Sequence, residues 1–157
     1  MKPVPERVTR DFDRSLPMSL LRAREAVTMP FRPVFRRHGI NDPQWRVLRV
    51  LAEHPRLSAS DLARRAAVLS PSLSRMLPVM EARGLLRREA MASDQRRSII
   101  CFEPEGRRFF EKVLLDIEPI YARLDATFGR QRLQTLHDEL EALRRALAPR
   151  RGSGNSR

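Results

Sequence analysis

The chain has 157 residues, 41 % of them hydrophobic, which is enough apolar material for one domain with a buried core and excludes a fully disordered protein. Its 31 basic residues against 19 acidic ones leave a net charge of +12 and a pI near 11.5, so the expected partner is a polyanion, nucleic acid or an acidic membrane surface. Cys101 is the lone cysteine, which excludes an internal disulfide; with no apolar run near about 18 residues and no apolar signal core, the chain reads as a cytoplasmic protein with no membrane partner.

Residues 1–14 mix prolines and charges with few apolar side chains and read as a flexible arm. From Ser15 to Arg37 the residues Leu16, Leu20, Leu21, Val27, Phe31, Val34 and Phe35 recur at three- and four-residue steps, the pattern of a long helix that Pro30 and Pro33 must bend or interrupt. His38-Gly39 ends it. Asn41-Asp42-Pro43 opens a second helix by cap and proline, Val47, Leu48, Val50 and Leu51 bury it, and His54-Pro55 stops it.

Ser58 with Asp61 three residues on predicts a reciprocal cap and a helix carrying Leu62, Ala63 and Ala66 inward. Ser70 before Pro71 repeats the start signal, and this next helix runs to Arg83-Gly84, where glycine takes the left-handed stop. Leu73, Met76, Leu77 and Met80 share its buried face, leaving Ser70, Ser72, Ser74 and Arg75 outward near its start. Small hydroxyls beside an arginine suit the floor of a DNA major groove, because arginine grips guanine with two hydrogen bonds and serine adapts to several base edges. Pro78, inside this helix, should weaken or bend it.

Two short strands, 85–90 and 96–102, flank turn residues 91–95, and Arg87, Arg88, Arg96 and Arg97 lie on or beside this hairpin. Between Arg64 and Arg97 eight arginines face three acids, a net +5, and a ribbon with arginines at its tip can reach the minor groove beside the groove that the helix occupies. After it, Pro104-Glu105-Gly106 opens a long amphipathic helix that Pro119 should kink. Gly129 breaks the chain, and Leu133, Leu136, Leu140, Leu143 and Leu147, spaced 3, 4, 3, 4, form a heptad seam that wants a partner helix. Residues 148–157 are a polar tail, expected to be disordered.

Taken in order, Ser60-Asp61-Leu62-Ala63, Ser70-Pro71-Ser72-Leu73-Ser74-Arg75, Met80-Glu81-Ala82-Arg83-Gly84-Leu85, Asp94-Gln95-Arg96-Arg97 and Pro104-Glu105-Gly106 resemble the MarR family of winged helix-turn-helix transcription factors over roughly residues 15–147. More narrowly, Leu21-Arg22-Ala23-Arg24-Glu25-Ala26, Phe31-Arg32-Pro33, Arg37-His38-Gly39 and Gln44-Trp45-Arg46 look like that family's homoprotocatechuate operon regulators. Glu103 departs from the pattern, standing where the family usually has a threonine cap. The resemblance implies a mainly α fold with a small β wing and about six helices. Segments 15–38 and 104–147, which carry helices one, five and six, would form a dimerisation domain around a DNA-binding lobe at 43–102.

The function so implied is an operon repressor. A homodimer would bind an inverted-repeat operator in double-stranded DNA, reading bases through Ser70, Ser72, Ser74 and Arg75 and contacting the duplex through Arg88, Arg96 and Arg97. Asp94 would hold a wing arginine in place. A small phenolic carboxylate effector, such as 4-hydroxyphenylacetate or 3,4-dihydroxyphenylacetate, would release the repressor, with hydroxycinnamates the alternative. Such a ligand needs a cation, an aromatic wall and a polar contact, and Arg24, His38, Trp45 and Arg46 are the candidates to supply them. Neither a metal nor a cofactor is expected, because His38, His54 and His137 have no ligand spacing. With no phosphate loop, nucleophile elbow or metal-binding histidine pair, an enzyme is not expected either. Redox sensing through Cys101 and sequence-tolerant DNA packaging are the readings set against the regulator; a packaging protein would show almost no preference for an operator at fixed salt.

Overall fold

The computed structural model describes residues 15–91 and 94–148, and for Met91 and residues 94–97 the backbone alone. The arm at 1–14, the tail from 149 and the side chains of Asp94, Arg96 and Arg97 lie outside the described residues. The elements are α1 (Leu16–Thr28), a 3-10 turn (Met29–Phe31), α2 (Arg32–Arg37), α3 (Asp42–Glu53), β1 (Arg56–Ser58), α4 (Ala59–Arg65), α5 (Ser70–Ala82), β2 (Leu86–Met91), β3 (Asp94–Phe102), α6 (Pro104–Phe128) and α7 (Arg130–Ala146). The expected first helix is thus α1 and α2, divided at Pro30 and Pro33 by a tighter turn. The chain falls into two compact units, divided along the sequence between Ile117 and Glu118.

In the first unit the core is centred on Val47, Leu48, Leu51, Leu62, Met80, Leu86, Ile100, Val113 and Ile117, all with almost no exposed surface. Helix α3 is set by a complete capping box: the Asn41 side chain accepts from the Gln44 amide and the Gln44 side chain accepts from the Asn41 amide, each at 3.0 Å. An aromatic row crosses the unit, Phe31 to Phe35 at 6.0 Å, Phe35 to Trp45 at 5.7 Å and Trp45 stacked on Phe110 at 5.0 Å, tying α2 and α3 to α6.

The sheet is antiparallel in the order β1, β3, β2. β1 was not expected. It pairs Arg56 with Cys101 and Ser58 with Ile99, then hands over to α4, so that Ser58 ends a strand and caps a helix at once. Its hydroxyl accepts from the Asp61 amide at 3.1 Å as expected, but the Asp61 carboxylate accepts from the Ser58 hydroxyl at 2.8 Å instead of from the Ser58 backbone amide. The hairpin strands run further toward the turn than expected, to Met91 and from Asp94, with a register shift at Ala90 and Met91. Glu103, the departure from the family cap, sends its carboxylate to Arg87 at 2.6 Å, and thus joins β2 to the start of α6.

The second unit holds the end of α6 and all of α7. α6 is helical through Pro119. Gly129 turns the chain at φ +96°, and Arg132 lies 4.2 Å over the Phe128 ring. On α7 the Glu141 carboxylate accepts from Arg144 and Arg145 at 2.7 Å, which brings its pKa down to about 2. None of its residues is buried; Leu136, Leu140 and Leu147 of the heptad row are exposed.

Candidate nucleic-acid interface

Helix α5 begins one residue earlier than Ser70-Pro71 suggests. Leu69 is the N-cap, in extended backbone and without a side-chain capping bond, and Ser70 is already inside the first turn. Leu73, Leu77 and Met80 are buried and Met76 is half-buried, which leaves Ser70, Ser74 and Arg75 exposed and Ser72 partly so. Pro78 does not break the helix. It is exposed, as is Ser74, whose carbonyl loses the amide that proline lacks, so water can take that bond. At the far end Gly84 adopts φ +68°, the left-handed stop.

Several arginines of the basic run serve the protein itself. Arg88 donates to Glu81 from Nε at 2.8 Å, and its own amide donates there at 3.0 Å, which pins β2 to α5; these bonds hold the Glu81 carboxyl below its ordinary pKa. Arg87 pairs with Glu89 and Glu103. Arg64 pairs with Asp61 at 2.7 Å. Arg83 donates to the Gly39 and His38 carbonyls at 2.8 and 3.0 Å and lies 4.9 Å over the Phe109 ring, joining the end of α5 to α2 and α6. Arg75 is exposed and has no acidic partner among the described residues, so its cation is available to a ligand.

The turn between α4 and α5 is held from outside. Ala67 sits at φ +50°, a conformation unusual for a residue with a Cβ. Arg46 on α3 spans the turn, Nη1 donating to the Ala66 carbonyl at 2.8 Å and to the Ala67 carbonyl at 2.7 Å.

The four effector candidates do not converge on one point. Arg24 and Arg46 meet at a single carboxylate, Asp42, at 3.4 and 3.2 Å. Trp45 lies next to Arg46 in sequence, buried in the aromatic row. His38 turns elsewhere: its Nε2 donates to Asp116 on α6 at 2.7 Å, its ring meets Phe109 edge-on, and the bond keeps the Asp116 carboxyl below its ordinary pKa. Asp42 went unnoticed in the sequence, although its i,i+4 spacing from Arg46 was visible. It borders a cavity of about 500 Å³ walled by Phe35, Ile40, Pro33 and Pro43, with Arg32 and Arg36 at its edge. A second cavity of about 340 Å³, lined in part by Arg46, Arg49 and Arg65, adds Arg49 as a cation that sequence reasoning also missed.

The comparisons with known proteins agree with this geometry. The MarR family model matches residues 38–97. The homoprotocatechuate degradative operon repressor of Escherichia coli is 40 % identical over 127 residues, 81 % of this chain and 86 % of that protein. Among solved structures, NadR in complex with 4-hydroxyphenylacetate is 35 % identical at a TM-score of 0.74, over 86 % of this chain and 96 % of NadR. CouR bound to a 23-mer DNA duplex is 25 % identical at a TM-score of 0.75, over 82 % and 95 % of the two chains. With a capped helix, a held turn, a helix with an outward polar row and an antiparallel wing in that order, and with relatives this similar over most of its length, the chain belongs to the MarR family of transcriptional regulators.

Proposed function

We propose that two copies of this chain form a cytoplasmic, non-catalytic repressor of an operon for aromatic-acid breakdown, released from its inverted-repeat operator by a phenolic carboxylate. The observation that carries the DNA reading is the outward row of Ser70, Ser74 and Arg75 on a helix whose opposite face is core. Its half-sites would lie roughly 10 bp apart, one helical turn. Arg96 and Arg97 would follow the neighbouring minor groove, with Asp94 steadying one of them. Arg88, tied to Glu81, would act on DNA by placing the wing.

Pairing is supported by apolar surface that one copy leaves uncovered. α1 has no buried residue, and Leu16, Leu21, Leu115 and Leu147 are each more than half exposed. For the effector, the likeness to an operon repressor of homoprotocatechuate breakdown and to a regulator that holds 4-hydroxyphenylacetate supports a hydroxyphenylacetate. Arg24 and Arg46 would supply the cation, Asp42 an acceptor for a ring hydroxyl, Trp45 rigidity behind the aromatic wall, and His38 a link to α6.

A gel shift on the protein's own upstream DNA, challenged in turn by 4-hydroxyphenylacetate, 3,4-dihydroxyphenylacetate and hydroxycinnamates, tests the whole reading. Release by a hydroxyphenylacetate is expected. Release by hydroxycinnamates alone moves the protein to another pathway, and equal binding to random DNA at the same salt overturns the regulator. Ultracentrifugation should find a dimer at working concentrations. In calorimetry Arg24→Ala should weaken 4-hydroxyphenylacetate binding by about tenfold, the scale of one charged hydrogen bond; unchanged affinity removes Arg24 from the site.

A further inference from the structure

Leu69 is out of place by two measures. It occupies the N-cap of α5, where serine, threonine, aspartate or asparagine would bond a free amide of the first turn, and it makes no such bond. Its side chain is also 77 % exposed, more than any other large apolar residue among the described residues. A lone exposed leucine is ordinary on a protein surface. This one stands at the leading tip of the helix whose next outward residues are Ser70, Pro71, Ser74 and Arg75, where a major-groove helix presents its first turn to base edges. Local stability has been given up at a position where an apolar group gains nothing from the fold, the pattern expected of a residue kept for contact with a ligand.

We infer that Leu69 is a specificity residue that packs against the C5-methyl group of a thymine in each operator half-site. The methyl is the one apolar mark a base pair shows in the major groove, and it separates thymine from every other base there. Serines and an arginine supply hydrogen bonds for other positions but no extended apolar group, and Pro71, the other exposed apolar residue of the first turn, has a short ring fixed to the backbone, whereas a leucine can reach out to a methyl. The leucine therefore adds a kind of reading that the polar row lacks. This rests on the regulator proposed above, and its test separates the two.

The full-length protein selects its preferred site from a random duplex library, and deoxyuridine then replaces thymidine at one position at a time. Deoxyuridine keeps the base-pairing and hydrogen-bonding groups and removes only the methyl. At one symmetric pair of positions the wild-type protein should bind about fourfold more weakly per methyl lost, the transfer value of one carbon. Leu69→Ser should lose that discrimination while its Tm rises by roughly 2–4 °C, because it restores the cap. Leu69→Ala should lose the discrimination without the rise. If no position responds to deoxyuridine, or if both variants still discriminate, the inference is overturned and the regulator stands. If the library yields no preferred site, the regulator falls and Leu69 with it.

Discussion

Gly106→Ala should lower the Tm by roughly 6–12 °C, the equivalent of about 3 kcal/mol in a chain of this size, and operator binding should fall with it. Gly106 is buried in the first turn of α6, directly against the strand-entry residue Leu85. A Cβ there would overlap the Leu85 carbonyl oxygen, lie 2.8 Å from its carbonyl carbon and stand 2.7 Å from the Phe102 ring. The first two are backbone, so no rotamer change relieves the clash. The Leu85 carbonyl is moreover engaged, accepting from the Glu103 amide at 3.2 Å, so displacing it costs a hydrogen bond as well. The helix that starts here carries Phe109 to His38 and Arg83, Phe110 to Trp45 and Asp116 to His38, so moving its first turn disturbs the side chain that holds the end of α5. Thermal unfolding followed by circular dichroism gives the answer; a Tm within 2 °C of wild type would mean that α6 can shift without cost.

What could be read from the residues, and what could not, divides by the range of the interaction. Asn41-Asp42-Pro43, Gly84 and the leucines of α5 are local signals, and each marks the boundary or face that it predicts. β1 is invisible for the opposite reason. Arg56-Leu57-Ser58 is too short to show alternation, and its only reason to be extended is a partner strand more than forty residues away, Arg56 opposite Cys101. The Ser70 cap misleads because serine before proline is a common helix start, whereas the extended backbone belongs to Leu69 and proline is tolerated throughout the first turn. Arginine roles are the least legible. Composition counts eight of them between Arg64 and Arg97, but which are free depends on where acids and carbonyls arrive in three dimensions. Arg83 and Arg88 both hold the C-terminal end of α5, and Arg75 remains for a partner.

Arg46→Ala should cost about 2 kcal/mol of stability, a Tm lowered by roughly 4–8 °C, and should weaken operator binding by about tenfold before any effector is added. The guanidinium holds the two carbonyls that flank the left-handed Ala67, and with them the angle between α4 and α5. Lost, it leaves both carbonyls to water and the turn free to relax toward ordinary backbone, so α5, the helix proposed to enter the groove, is held at a less well-defined angle. Arg46→Lys should recover part of the stability, since an ammonium has donors enough for both carbonyls, as Nη1 does, but has no second nitrogen to keep the Asp42 contact that Nε makes at the same time. An effector-only role predicts something different: unchanged Tm, unchanged operator affinity and a lost response to 4-hydroxyphenylacetate. Should Arg46→Ala lower all three, one side chain joins the cavity at Asp42 to the turn before α5, and a ligand that draws the guanidinium toward its own carboxylate would loosen the turn as it binds. Release from DNA would then need no movement larger than the reach of an arginine.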